Sequence, residues 1–439
     1  MKKLAVIILA AGKGERMVSD RPKVLHHILG KSLLGHVVSA AQTLHPEKII
    51  VVVGHKSDDV KKAFEKEASI EWVFQEQQLG TAHAVLCAKQ SLKDFEGEVL
   101  ILYGDAPLLR AETLKEMREV SEKSHADLLL ATAHFQQPSG YGRILRNHHG
   151  KIQEIVEEKE ASSDEKKIQE VNPGIYLLDA QILHFLDKIE KSIAKGEYYL
   201  TDIVVEALKQ KKVVETYLVP HEDEVKGINN KSQLAEATQI LQKRINEAWM
   251  AKGVTMVSPE TTFIESSVIL EVDVIVHPGV VITGNSKVGK GSEILAYSVI
   301  EESIVGNGTR IGPFAHLRPA SVVGDEAHVG NFVELKKTTL GKGSKANHLA
   351  YLGDAVIGEK ANIGAGTITC NYDGEKKFQT IIEDGAFIGS DTQLVAPVKV
   401  GKKAYVGSGT TVTKDVPDGA LALSRIEQKN IPNWKKKGK

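Results

Sequence analysis

Three sets of residues in this chain of 439 have types and spacings suited to chemistry. The first is Gly12-Lys13-Gly14-Glu15-Arg16, directly after an apolar run and shortly before Lys23. A glycine-rich turn from strand to helix lets backbone amides approach a phosphate, and Lys13, Arg16 and Lys23 place cations beside it. Two familiar phosphate loops do not fit. Met17 stands where a dinucleotide fingerprint needs its third glycine, and Leu25 stands where a Walker A motif ending in Gly30-Lys31-Ser32 needs its first. A plain glycine turn with surface cations accounts for the same residues. The second set is Tyr103-Gly104-Asp105, again after an apolar run, where Asp105 is a hard oxygen ligand of the kind Mg2+ takes, or a cap on a strand-end turn. The third is the scatter of Arg318, Lys336, His348, Tyr351, Asn362, Asn371 and Tyr372 through an otherwise aliphatic stretch. Read alone, His348 is one of 16 histidines and a turn residue before it is a base.

Different elements must position these sets. From residue 1 to 227, short β-rich runs alternate with helical stretches, and Leu4–Leu9, Ile49–Val53, Val99–Leu102 and Leu128–Ala131 read as strands. Their uniform apolarity suits strands covered on both faces, as in a parallel or mixed, Rossmann-like α/β sheet. Three of them run into Ala11-Gly12, Gly54-His55 and Tyr103-Gly104-Asp105, and open α/β sheets bind ligands outside the carboxyl ends of strands. Residues 228–250 read as a linker helix, with Leu234, Thr238, Leu241, Ile245 and Trp249 on one face and Gly253 after it.

From 251 to 439 the period changes. Aliphatic residues recur every six positions: Val288, Ile294, Ile300; Val305, Ile311, Leu317, Val323, Val329, Leu335; Ile388, Leu394, Val400, Val406, Val412. Neither a helix nor an alternating strand gives that spacing. A coil of three short strands per turn does, so hexapeptide repeats of a parallel β-helix are expected. The register slips by one at 300→305, 335→340 and 352→357 and is interrupted between Ile363 and Ile388; interruptions of a solenoid are loops, where function resides. Open solenoid ends need cover, which the preceding helix and Pro417–Lys439 could supply, with the Lys435–Lys437 run a solvated tail.

Composition narrows the function class. Hydrophobic residues at 42% and charged residues at 26% fit a globular protein, and a formal net charge of -1 gives no field to gather nucleic acid. Cys87 and Cys370 are the only cysteines, too far apart in the chain for a disulfide framework or a zinc spacing. Cys370 reads as a small buried residue without a role. No apolar run approaches the roughly 20 residues of a membrane span. The Met1-Lys2-Lys3 start followed by Leu4 to Ala11 lacks a small-residue cleavage pattern, so a buried first strand and a cytoplasmic protein are expected.

Taken together, Leu9-Ala10-Ala11-Gly12-Lys13-Gly14-x-Arg16-Met17, then Pro22-Lys23, resembles the signature of sugar-1-phosphate nucleotidyltransferases. Gln75, Gln78-Leu79-Gly80-Thr81, Tyr103-Gly104-Asp105, Gly140-Tyr141-Gly142-Arg143, Ile155-Val156-Glu157, Asn172 and Gly227-Ile228-Asn229-Asn230 follow in that family's order. From about residue 4 to 426 the chain resembles the bifunctional uridylyltransferase and acetyltransferase family that makes UDP-N-acetylglucosamine. The resemblance implies a left-handed β-helix, a homotrimer, Mg2+, and the substrates UTP, N-acetylglucosamine 1-phosphate, glucosamine 1-phosphate and acetyl-CoA.

It implies site residues as well. Leu9, Ala10, Ala11, Gly12, Gln75, Gly80, Thr81, Tyr103, Gly104 and Asp105 would hold the nucleotide, and Gly142, Glu157 and Asn172 the sugar. Asp105 and Asn229 would bind the metal while Arg16 and Lys23 clamp phosphates, since nucleotidyl transfer is mostly positioning and charge neutralisation. Read without the resemblance, Glu157 also fits a surface ion-pairing residue beside Glu158 and Lys159. In the second half His348 would be the base, because an ammonium has no lone pair with which to attack a thioester. Arg318, Lys336, Tyr351 and Asn362 would hold glucosamine 1-phosphate. Ala365, Asn371, Tyr372, Ser390, Ser408 and Arg425 would bind acetyl-CoA. Glu15, Pro173 and Ser408 depart from the family pattern; Pro173 fixes φ and removes a donor beside Asn172. Two competing readings are a monofunctional nucleotidyltransferase with a β-helix for assembly only, and a non-catalytic scaffold. The first would lack His348, Arg318 or Lys336 and the second Arg16, Lys23 or Asp105, and the sequence has all six.

Overall fold

The computed structural model describes residues 2–192 and 196–434 in two compact units, Met1–Leu241 and Gln242–Lys439. The Lys435–Lys437 run lies outside the described residues. In the first unit the strand Leu4–Ala10 is wholly buried and pairs in parallel with Lys48–Val53 on one side and Glu98–Tyr103 on the other, with Ile7 opposite Ile50 and Ile101. Its uniform apolarity has the expected cause. Val6 and Ile8 enter one hydrophobic cluster while Ala5, Ile7 and Leu9 enter another, so successive side chains feed cores on opposite faces of the sheet. Tyr176–Asp179 lies antiparallel between Glu98–Tyr103 and Leu128–His134, and the sheet runs on antiparallel through Glu170–Asn172, Gly142–Arg146 and Ile152–Val156. The sheet is therefore mixed.

The helix expected over 228–250 spans Lys231–Met250. Its start is set by Asn230, whose side-chain oxygen accepts from the Gln233 amide, a cap that leaves Gly227-Ile228-Asn229 in the preceding loop. In the first unit, Leu234, Ala237, Ile240 and Leu241 pack with Met17, Ile28, Leu33, Leu108 and Ile228.

The second unit is a left-handed parallel β-helix, with three sheets of ten, nine and eight strands among the described residues. All fourteen aliphatic residues of the six-residue columns are buried. Register pairs such as Val288↔Val305 and Val305↔Val323 show that a coil takes 17 or 18 residues without leaving its column. Each register slip is a shorter turn at one corner. The interruption between Ile363 and Ile388 is a coil enlarged by the loop following Cys370, after which Ile357 still pairs with Ile382. Ile245, Trp249 and Met250 pack against the first coils, and Gln242 and Asn246 amides donate to the Thr262 carbonyl at 2.8 and 2.9 Å. At the other end Leu421–Ala422 pairs with Tyr405–Val406, whereas Ile426, Ile431 and Trp434 are exposed.

Candidate active sites

In the first unit the loops at the carboxyl ends of the central strands line one cavity of about 330 Å³, shared by Leu9, Ala10, Ala11, Gly12, Lys23, Gln75, Gly80, Thr81, Tyr103 and Asp105. The glycine turn is held tightly. Gly14 has φ +68, and a Cβ there would come within 2.6 Å of the Lys23 Cβ. Met17, in the place of a third glycine, is buried and anchors the loop from below. Arg16 is exposed on that loop and is not part of the cavity lining.

Gln75 is buried, and its amide nitrogen faces both the Gly80 carbonyl at 3.1 Å and His83 Nδ1 at 3.0 Å. Gln78, also in the lining, donates to the Ala11 carbonyl at 2.7 Å and ties two loops together. Gly80, at φ +113, lets the helix Thr81–Lys89 begin against the Tyr198 backbone, which a Cβ would meet at 2.5 Å.

Farther along the sheet, Gly142 pairs with Asn172, and a Cβ on Gly142 would sit 3.8 Å from the Glu157 carboxyl carbon. Asn172 donates to the Tyr176 hydroxyl at 2.7 Å and accepts from the Gly174 amide at 3.0 Å, so the donor that Pro173 lacks is supplied one residue later. Gly174, at φ +87, leaves room for Tyr103, whose ring a Cβ would overlap at 2.2 Å. Burial, with Glu157 nearby, pushes the Tyr103 phenol up. Gly142, Glu157, Asn172 and Tyr103 are thus neighbours.

Asp105 and Asn229 also meet. The Lys23 ammonium donates to the Asp105 carboxylate and, at 3.2 Å, to the Asn229 side-chain oxygen. The Ile228 amide donates to the Asp105 carbonyl at 2.9 Å, which fastens the 227–230 loop to this strand end. Among the described residues no group of three or more His, Cys, Asp or Glu is placed to hold a metal. A divalent ion at Asp105 and Asn229 would complete its shell with water and ligand oxygens, which suits Mg2+.

In the second unit Arg318, Lys336, Tyr351 and Asn371 lie along one sheet, while His348 and Asn362 lie on the adjoining sheet. Arg318 donates to Glu334 at 2.8 Å, Glu334 pairs in register with Tyr351, and Lys336 with Gly353. Lys377, from the inserted loop that folds back in a bridge with Tyr372, lies close enough that its charge, with that of Arg318, holds the Lys336 ammonium below its ordinary pKa. His348, exposed at the end of Lys345–His348, has Nδ1 2.9 Å from the Asn331 side-chain oxygen, and the two are register partners on adjacent coils. Asn362 lies in the neighbouring row as the partner of Lys345. From His348 a corner of the β-helix continues coil by coil. The Gly366 amide donates to the Leu349 carbonyl, Asp391 to that of Ala365, Gly409 to that of Ser390, and the Arg425 guanidinium to that of Ser408. Asn371 is buried and donates to Asp354 at 2.5 Å, whereas Tyr372 is exposed. A Cβ on Gly353 would meet both the Tyr351 hydroxyl, at 2.6 Å, and the Asn371 amide, at 2.8 Å.

Asn331, Gly353 and Lys377 are not residues that the sequence singles out. Asn331 carries a signal in hindsight, since it sits one 17-residue coil before His348. Lys377 falls in the interrupted stretch, but nothing local says that its chain folds back onto Lys336.

The MobA-like NTP transferase domain family matches residues 6–170, and the GMPPB C-terminal domain family matches residues 247–339. Over 457 residues the chain is 44% identical to the "Bifunctional protein GlmU" of Geotalea uraniireducens, covering 100% of both chains. A protein of the same name from Pelobacter propionicus is 44% identical over 99% of this chain and 98% of its own. The one from Shouchella clausii is 43% identical over 98% of each.

Proposed function

This chain belongs to the GlmU family of bifunctional proteins, and from that premise we infer that it acetylates glucosamine 1-phosphate with acetyl-CoA and then transfers UMP from UTP to N-acetylglucosamine 1-phosphate, releasing pyrophosphate. The observation that carries this reading is the presence of two separate polar clusters, one in each compact unit, of a chain similar to bifunctional relatives over its whole length. A monofunctional enzyme with an assembly-only β-helix is not favoured, because the second cluster keeps His348, Arg318 and Lys336 together with Tyr351 and Asn371.

In the uridylyltransferase unit, Asp105 and Asn229 hold Mg2+, a reading supported by the convergence of both oxygens on one cation. Bound there, Mg2+ supplies charge neutralisation to phosphate oxygens. Lys23 and Arg16 bind phosphate, Gln75 and the Gly80 and Thr81 amides face the base, and Gly142, Glu157 and Asn172 orient the sugar hydroxyls. In the acetyltransferase unit, His348 donates its Nδ1 proton to the Asn331 amide oxygen, which leaves the Nε2 lone pair to take a proton from the attacking amine. Arg318, Lys336 and the adjacent Lys377 bind the sugar phosphate with Tyr351 and Asn362. The corner from His348 to Ser408 spans three coil steps, roughly 14 Å at β-strand spacing. A pantetheine arm laid along it through Ala365 and Ser390 brings the CoA phosphates to Arg425, with Asn371 and Tyr372 beside it.

The working assembly is a homotrimer. In support, Tyr297, Phe314 and Phe332 stack at 5.4 Å, and all three and Leu349 beside His348 are about half exposed, an apolar ladder suited to a second copy. No helix among the described residues is long and apolar enough to cross a membrane. On other grounds, the nucleotide and CoA substrates of the proposed reactions, we place the protein in the cytoplasm.

One coupled assay tests the division of labour. With Mg2+, the purified protein makes UDP-N-acetylglucosamine from UTP and N-acetylglucosamine 1-phosphate and acetylates glucosamine 1-phosphate. His348→Ala loses acetylation alone and Asp105→Ala uridylylation alone. Loss of both activities from either change in a folded protein would overturn the assignment.

A further inference from the structure

The first site contains a cation of its own. The side chains of Lys23 and Asp105 are only 14% and 16% exposed, and the Lys23 ammonium bridges the Asp105 carboxylate and the Asn229 amide oxygen. These are the two side chains that would hold Mg2+. The lysine is aimed there by its backbone: Val24 and Leu25, which follow it, are buried, Pro22 leads into its turn, and its stem packs against the Gly14 turn.

An ammonium is satisfied at about 2.8 Å from an oxygen, whereas Mg2+ needs its ligands at about 2.0 Å. Both cations call on the same oxygens and repel each other, so they exclude one another between Asp105 and Asn229. We propose that Lys23 is a resident counter-cation of the metal site: it keeps the two ligands together in the free enzyme, weakens metal binding there, and moves to phosphate oxygens of an arriving nucleotide as the metal enters. The proposal rests on the reading of Asp105 and Asn229 as metal ligands. An ammonium has three donors, and with two engaged Lys23 has a third for an oxygen in the cavity it lines. By linkage, nucleotide and metal then each strengthen the binding of the other.

The test measures Mn2+ binding to the nucleotide-free full chain by electron paramagnetic resonance, with Mg2+ as competitor. Lys23→Met removes the charge and is expected to bind Mn2+ at least about tenfold more tightly than the wild type, a modest share of what one contact charge pair is worth at a protein surface. Lys23→Arg keeps a cation and is expected to remain weak. Equal or weaker binding by Lys23→Met, or binding by Lys23→Arg as tight as by Lys23→Met, overturns the proposal while leaving the metal ligands standing. The double variant Lys23→Met, Asp105→Asn is expected to lose the gain. If it retains the gain, or if neither the wild type nor Lys23→Met binds Mn2+, the metal-site reading fails with the proposal.

Discussion

Replacing Gly330 by Ala tests how closely the acetyl-transfer site depends on coil-to-coil packing. A Cβ on Gly330 would lie 1.8 Å from the Asn347 carbonyl oxygen and 2.5 Å from its carbon, where real Cβ contacts essentially never fall below 3.0 Å. The coils must therefore part by more than about 1 Å at this point. Little there can give, because the flanking residues are locked in register, Val329 with Ala346 and Asn331 with His348. Parting the coils breaks the 3.0 Å bond from the Leu349 amide to the Asn331 carbonyl and the 2.9 Å contact of His348 Nδ1 with Asn331. At about 1 kcal/mol for each bond plus about 1 kcal/mol of residual strain, the β-helix loses about 3 kcal/mol. A displacement of about 1 Å in the base costs about a hundredfold in rate. The expected result is acetylation reduced about a hundredfold, uridylylation unchanged, and a lower denaturant midpoint for the second unit only. Acetylation within about threefold of wild type, or an equal fall in both activities, would refute the reasoning.

Two further outcomes are expected. Burial, with Glu160 and Glu206 nearby, raises the half-buried Asp202 carboxyl to about 6. Its folded pKa thus exceeds its unfolded value of about 3.9, so it costs nothing below pH 4 and destabilises increasingly as pH rises from about 4 to 6. Asp202→Asn should then raise the stability of the first unit by about 1 kcal/mol above pH 6, after allowance for solvent screening, and leave it unchanged below pH 4, as denaturant titrations would show. Lys377→Gln should raise KM for glucosamine 1-phosphate about tenfold with a smaller change in kcat and no effect on uridylylation, the expected loss of one charge-assisted contact to phosphate; an unchanged KM would remove Lys377 from that site.

What the sequence determined by itself is what depends on local pattern. The run Leu4–Ala10 is buried on both faces because every residue in it is apolar, and the six-residue columns are buried because burial repeats with the turn of the β-helix. The loops bearing Gly12 and Asp105 were legible as strand ends, and the first cavity forms there. The order of motifs along the chain carries the family resemblance without reference to any contact. Tertiary structure decided the rest, because polar partners carry no periodicity. Lys23 meets Asp105 and Asn229 across 82 and 206 residues, and only the packing of the Gly14 turn and the 227–230 loop brings them together. Asn331 faces His348 because a coil there takes 17 residues, and Lys377 reaches Lys336 because the inserted loop folds back. The helix starts at Lys231 because Asn230 caps it, a choice made by one side-chain bond that amphipathic spacing does not encode.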